Sequence, residues 1–339
     1  MARILLTGFT AKQRGEGRPQ VATLLCGAEV ALRHLGHYVE RRKVDPDEDL
    51  RAQFDCAVVA VYDYRGTSAT AQKFNTIRAA LDLPHVLAWD DWNAKSIFNS
   101  LKNPKDFWAL GLHQNDAKVE RQVDKLHEDG KASAANELVY RWLLSVPKML
   151  CCSFNWGDHD KLKAAHDFGE LCCWDPSPWV RGMHGFPVAL KQRHWALASL
   201  WNHDDWIDEL NPSWIVGKQA KPWKGRGWQL EESEIVQDLY AHSWGVLSPP
   251  YAQLAGSGWW RNRFVFAQDA GCVIYADPSE VAPALGDTSH FYWELDQIEC
   301  MPDSGLHEVA EKQAEELRGW ELPANDSAKR LEEFVLSVV

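Results

Sequence analysis

Residues 240–277 read YAHSWGVLSPPYAQLAGSGWWRNRFVFAQDAGCVIYAD, and the order of residue types in this stretch decides the fold. Residues 244–247 (WGVL) form a short apolar run that Ser248, Pro249 and Pro250 stop. Proline has no N–H to give a sheet, so the run reads as a buried strand with an abrupt end. Upstream, Ile235, Val236, Leu239 and Tyr240 share one helical face. Downstream, Gly256 and Gly258 make a permissive loop, and Arg261 and Arg263 stand where a helix begins. Ala270, Gly271 and Cys272 end that helix, with Gly271 able to take positive φ, and residues 272–275 (CVIY) are the next strand. Helix, strand, glycine loop, helix, strand is the repeat of a parallel α/β sheet, whose ligands sit beyond the carboxyl ends of its strands. A helix start with free N–H groups, a glycine loop and two guanidiniums suits a diphosphate. An ordinary αβ unit with incidental arginines uses the same residues.

The amino-terminal half repeats this pattern. Residues 3–7 (RILLT) are an apolar first strand with Gly8 at its end, and the loop after it carries Arg14 and Arg18. Val21, Leu24, Leu25, Ala28, Leu32 and Leu35 then recur at helical spacing, and residues 37–44 are a second strand. Residues 56–62 (CAVVAVY) read as a buried parallel strand, residues 69–81 as a helix, and residues 85–89 as a further strand. Asp90, Asp91 and Trp92 stand directly at that strand's end. Adjacent carboxylates there are either a helix N-cap or a catalytic element. Strands follow at 148–154, 171–174, 195–200 and 214–216, and helices at 304–317 and 327–338, the last with Asp326 or Ser327 as its cap. The chain has no GxGxxG, which argues against a dinucleotide enzyme.

A chain of 339 residues suits two domains rather than one core. No run of eighteen apolar residues and no signal-peptide pattern occurs, so the expectation is a cytoplasmic protein without membrane contact. The eight cysteines, two pairs of them adjacent at Cys151–Cys152 and Cys172–Cys173, lack zinc spacing and read as reduced core residues. No metal site is expected. A net charge of −12 argues against nonspecific nucleic-acid binding over the whole surface but leaves room for a local basic groove. Lys221, Lys224 and Arg226, glycine-spaced, with Trp223 among them and Trp228 after them, are such a run; they contact phosphates or lie in a solvated loop. Eighteen tryptophans are the most unusual feature of the composition; flat aromatic faces stack on sugars and unpaired bases, but most of them are expected to pack, with two or three touching a ligand.

Residues 263–276, RFVFAQDAGCVIYA, resemble the nucleotide-sugar half of GT-B glycosyltransferases, whose pattern here is R-V-F-E-A-x-A-C-G-T-P-V-I-A. Arg263, Ala267, Gly271 and Ala276 fall in register, while the family's ribose-binding glutamate falls on Phe266. In the same family the loop after the first strand of this half usually carries an arginine and a lysine; here it carries Asn202 and His203. Residues 86–96, VLAWDDWNAKS, are similar to the segment after the fourth strand in the T-even phage DNA α-glucosyltransferases, where a His-Asp pair lies beside the acceptor. Asp91 matches the aspartate, and Asp90 takes the histidine's place.

The resemblance implies a GT-B fold of class α/β, with two Rossmann-like domains facing a central cleft. Residues 1–185 would be the acceptor domain, 186–320 the nucleotide-sugar domain, and 321–339 a carboxyl-terminal helix packing back on the first domain. The implied activity is retaining, metal-independent transfer from a nucleoside-diphosphate sugar, a UDP-sugar, to hydroxymethylated bases in double-stranded DNA, by a monomer in the (host) cytoplasm. Asp91 assisted by Asp90 would be catalytic. Arg261, Arg263, Gly256, Gly258, Gly271, His203, Asn202 and Gly8 would bind donor; Trp92, Arg14, Arg18, Lys221, Lys224 and Arg226 would bind acceptor. The alternatives are a GT-B transferase acting on a glycan or small metabolite, and a GT-B remnant that binds without turnover.

Overall fold

The computed structural model describes residues 1–8, 23–45, 47–60, 79–89, 148–152, 170–174, 176–182, 191–198, 214–216, 227–228, 240–248, 262–276, 300–319 and 323–339, with scattered positions from 121 to 134. The chain divides into two compact units, Met1–Trp179 together with Pro323–Val339, and Val180–Leu322. Its elements in order are β1 (Arg3–Gly8), α1 (Thr23–His34), β2 (Tyr38–Arg41), β3 (Cys56–Ala60), β4 (His85–Trp89), β5 (Lys148–Cys152), β6 (Glu170–Trp174) and the single turn α2 (Ser177–Val180). There follow β7 (Gln192–Ala198), β8 (Trp214–Val216), β9 (Gly227–Trp228), β10 (Ser243–Ser248), α3 (Asn262–Asp269), β11 (Val273–Ala276), α4 (Asp303–Gly319) and α5 (Ala324–Leu336).

The first unit is built on a six-stranded sheet in the order β2-β1-β3-β4-β5-β6, every pair parallel. Its central strands are apolar on both faces: Ile4, Leu5 and Leu6 of β1, and all of β3, are fully buried. That pattern requires cover on both sides, which parallel crossovers provide. On one side Leu24, Leu25, Ala28 and Leu32 of α1 meet Ala328, Leu331 and Val335 of α5 in one cluster over Ile4, Leu6 and Val58. The carboxyl-terminal helix therefore completes the core of the first unit. Polar contacts fix its seat: Trp174 Nε1 donates to the Ser327 carbonyl at 3.0 Å, and His37 Nε2 meets Glu332 Oε1 at 2.6 Å. Because the Ala2 N–H donates to His37 Nδ1 at 3.1 Å, the ring hydrogen is assigned to Nε2.

The start of α5 departs from the sequence expectation. The helix begins at Ala324, three residues earlier, with Pro323 as N-cap and no side-chain cap. The Pro323 carbonyl accepts from both Asp326 and Ser327 N–H at 2.9 Å, closing the first turn without a hydroxyl.

The second unit carries a five-stranded parallel sheet in the order β11-β10-β7-β8-β9. The two-residue β9 was invisible in the sequence, where Gly227 and Trp228 follow the basic run. Leu306, Val309, Ala310, Gln313 and Leu317 make the buried stripe of α4 at helical spacing. Of the cysteines described in full, none is in a disulfide: Cys26, Cys56, Cys172 and Cys272 are buried, whereas Cys300 is exposed, against the expectation of core placement. Burial pushes the Cys56 thiol up to about 12, so it is inert as a nucleophile.

Candidate functional site

In a parallel sheet all carboxyl ends lie on one edge, and a crevice opens where neighbouring strands send their connections opposite ways. In the first sheet the chain leaves β1 for β2 on one side and then builds β3 to β6 on the other, so the switch lies between β1 and β3. In the second sheet β7 is followed by β8 and β9 on one side and by β10 and β11 on the other, so the switch lies between β7 and β10.

At the first switch β1 ends in Gly8, paired with Ala60, the last residue of β3. Gly8 has φ of 147°, and a Cβ there would lie 2.2 Å from the Ala60 carbonyl oxygen. Only glycine lets the chain pass so close over the end of β3. Its absence of a side chain thus has a packing reason, besides the donor contact expected of it. Before it, Thr7 is 1% exposed, and its Oγ1 has no hydrogen-bond partner among the described residues. The sequence reading passed over this residue. Asp90, Asp91 and Trp92 directly follow Trp89, the last residue of β4 and thus at the same sheet edge; they lie outside the described residues, as do Arg14 and Arg18.

At the second switch the chain leaves β7 at Ala198 towards Asn202 and His203, and leaves β10 at Ser248 towards Gly256, Gly258 and Arg261. It leaves β8 at Val216 towards Lys221, Lys224 and Arg226. All eight residues lie outside the described residues; the topology brings the roots of their three segments to adjacent positions on one edge. The helix α3, reached from the β10 root, starts at Asn262, so Arg263 falls in its first turn.

Gly271 stands elsewhere. It follows α3 and precedes β11, so it lies at the amino edge of the sheet, opposite the edge where β7 and β10 end. Its φ of 64° and the bonds from its N–H to Gln268 O (2.8 Å) and from Cys272 N–H to Ala267 O (2.8 Å) make it a helix C-cap. Capping accounts for this glycine, and its place at the amino edge speaks against a donor contact.

Near that end of α3, Gln268 Oε1 accepts from Arg181 Nη1 at 2.7 Å and Asp269 Oδ2 accepts from the Gly182 N–H at 2.7 Å. Burial pushes the Asp269 carboxyl above its usual range, against the pull of the Gly182 N–H and Arg181. The two polar residues beside Phe266 thus anchor the entrance to the second unit. Among the described residues no three His, Cys, Asp or Glu side chains gather as metal ligands, and no helix is long and apolar enough to cross a membrane.

No protein-family model matches the chain, and no curated protein matches it in sequence. Solved structures do. The DNA-modifying enzyme β-glucosyltransferase, studied with and without uridine diphosphoglucose, agrees with TM-score 0.60 at 11% identity over 99% of both chains. A structure of T4 phage β-glucosyltransferase agrees with TM-score 0.58 at 11% identity, covering 98% of each chain. An α-glucosyltransferase in complex with UDP-glucose and DNA containing an abasic site agrees with TM-score 0.50 at 12% identity, covering 98% of this chain and 94% of that one. Two parallel sheets, a carboxyl-terminal helix packed on the first unit and end-to-end agreement with these structures show that the chain has the GT-B fold of the phage DNA glucosyltransferases.

Proposed function

We propose that this protein is a glycosyltransferase that moves a sugar from a UDP-sugar to the hydroxyl of a 5-hydroxymethylpyrimidine in double-stranded DNA. The observation that carries this reading is fold agreement along the whole chain with enzymes described as DNA-modifying and bound to UDP-glucose or DNA. In this reading residues 1–185 present the acceptor and residues 186–320 the donor. Asp91, assisted by Asp90, takes the proton of the acceptor hydroxyl as its oxygen bonds to the sugar's anomeric carbon. The bond from that carbon to the diphosphate oxygen breaks, and the diphosphate leaves with the electron pair. Arg261, Arg263 and the N–H groups at the start of α3 stabilise the charge that develops on it. An extruded base stacks on Trp92, and the run Lys221, Lys224 and Arg226 holds DNA phosphates.

The net charge of −12 favours a second reading, transfer to a glycan or small metabolite. Phe266 in place of the family glutamate favours a third, binding without turnover. Incubation with a panel of nucleotide sugars and hydroxymethylated duplex, followed by mass spectrometry of the nucleosides, separates them. A modified base heavier by one sugar residue is the expected result, and NMR of that nucleoside is expected to show the donor's anomeric configuration retained. Donor consumption only with glycan or metabolite acceptors selects the second reading, and donor binding with no consumption selects the third.

A further inference from the structure

We propose that the carboxyl edge between β1 and β3 is a binding site for a neutral ligand hydroxyl, with Thr7 as the group that receives it. Thr7 is the one buried polar side chain of β1, beside the buried Ile4, Leu5 and Leu6, and its hydroxyl finds no partner among the described residues. A buried hydroxyl left unpaired costs stability that valine, of the same shape, would not cost. Its place gives that cost a use: Thr7 pairs with Val59 one residue before the switch between β1 and β3, where this class of sheet binds ligands.

The neighbouring backbone is fixed, because at Gly8 the chain passes so close to the Ala60 carbonyl that no Cβ fits. The hydroxyl is therefore held in position rather than free to turn away with its backbone. Ser243 also has an unpaired buried hydroxyl, but it opens β10 at the amino edge, beside the carbonyls that hold Lys191 and Cys272. Position separates the two.

The chemistry of the site narrows the ligand. A threonine hydroxyl both donates and accepts; on the β3 side its register neighbours Val59 and Ala60 bring no charge, and on the β2 side Arg42, whose N–H donates to the Leu6 carbonyl, has its guanidinium already paired with Glu40 and Glu48. A phosphate would ask for a cation or several N–H groups. An uncharged hydroxyl asks for one partner of this kind. Resting on the transferase reading, that hydroxyl belongs either to the donor's sugar or to the hydroxymethyl group of the acceptor base.

Thr7→Val and Thr7→Ser, compared with the wild type, test this by melting temperature and by affinity for UDP, UDP-glucose, hydroxymethylated duplex and unmodified duplex. The valine variant is expected to melt at or above the wild type and to lose about three- to tenfold in affinity for one hydroxyl-bearing ligand, on the scale of one neutral hydrogen bond. The serine variant is expected to keep that affinity. A loss for UDP-glucose but not UDP assigns the donor's sugar; a loss for hydroxymethylated but not unmodified duplex assigns the acceptor. A valine variant that binds all four as the wild type does overturns the site and leaves the transferase reading standing. One that melts well below the wild type overturns it in favour of a structural hydroxyl. Wild-type protein that binds neither UDP-glucose nor hydroxymethylated duplex overturns the transferase reading, and the site with it.

Discussion

Gln313 of α4 closes both free backbone groups of Ile274 on β11: the Ile274 N–H donates to Gln313 Oε1 at 2.7 Å, and Gln313 Nε2 donates to the Ile274 carbonyl at 2.8 Å. Among the described residues β11 is an edge strand of its sheet, paired only with β10. A side-chain amide has the donor and acceptor of a peptide group, so Gln313 stands where a further strand would bond. The side chain is fully buried, as is Ile274, and water cannot replace the pair cheaply.

Gln313→Leu should therefore destabilise the protein by about 2–4 kcal/mol, because it leaves two buried backbone groups unpaired at about 1–3 kcal/mol each, with some relaxation. Urea unfolding followed by tryptophan fluorescence measures this. A loss below about 1 kcal/mol would show that β11 finds another partner.

Two glycines with positive φ should respond differently to alanine. Gly271→Ala meets only Lys191 Cε at 3.8 Å, so its cost is the left-handed conformation, about 1–2 kcal/mol. Gly8→Ala adds a collision with backbone at 2.2 Å, which no side-chain rotation relieves. It should cost well over 2 kcal/mol or prevent folding, on the scale of overpacking added to strain. Equal melting temperatures for the two variants would contradict the close approach of β1 and β3.

A pH effect follows from Arg42 and Glu48. Arg42 donates to both carboxylate oxygens, Nη1 to Oε2 at 2.7 Å and Nη2 to Oε1, and this holds the Glu48 carboxyl below its usual value of 4.5. A depressed carboxyl stabilises the fold fully above the unfolded value and loses that contribution as pH falls through the folded one. The wild type should thus be more stable than Glu48→Gln near neutral pH, and the gap should close well below pH 4.5. A gap of the same size at both would mean that the pair contributes packing rather than charge.

How far these relationships were legible in the sequence depends on what each residue reports. β4 and β8 were read with the bounds the structure has, His85–Trp89 and Trp214–Val216, because unbroken apolar runs in a parallel sheet admit few other conformations. The start of α5 was misplaced because the usual cap residues, Asp326 and Ser327, sit inside the first turn that the Pro323 carbonyl closes. Gln313 shows in sequence only as a polar residue on a buried face; its partner is thirty-nine positions away and joined by folding alone. Gly271 is the instructive case. It resembles a family motif, yet a residue between a helix and the next strand lies at the amino edge by topology, away from the ligand crevice. Thr7 looked like any residue of an apolar strand, and only an accounting of buried polar atoms marks it.

The sharpest test of the proposed chemistry is Asp91→Asn. The segment carrying Asp91 begins at Trp89, on the sheet edge where this fold binds ligands, in the half proposed to present the acceptor. Asparagine keeps the size and the N-capping ability of aspartate but cannot take a proton at neutral pH, so the substitution separates base from cap. As the base, Asp91 should contribute about 10²–10⁴ in rate, and both Asp91→Asn and Asp91→Ala should lose turnover on that scale while keeping their affinity for UDP. As a cap only, Asp91→Asn should leave turnover and melting temperature near the wild type, and Asp91→Ala should cost about 1 kcal/mol of stability. Single-turnover transfer to hydroxymethylated duplex, with UDP affinity measured by calorimetry on the same samples, distinguishes the two. A folded Asp91→Asn protein with near-normal turnover removes the role from Asp91, and Asp90 becomes the carboxylate to substitute next.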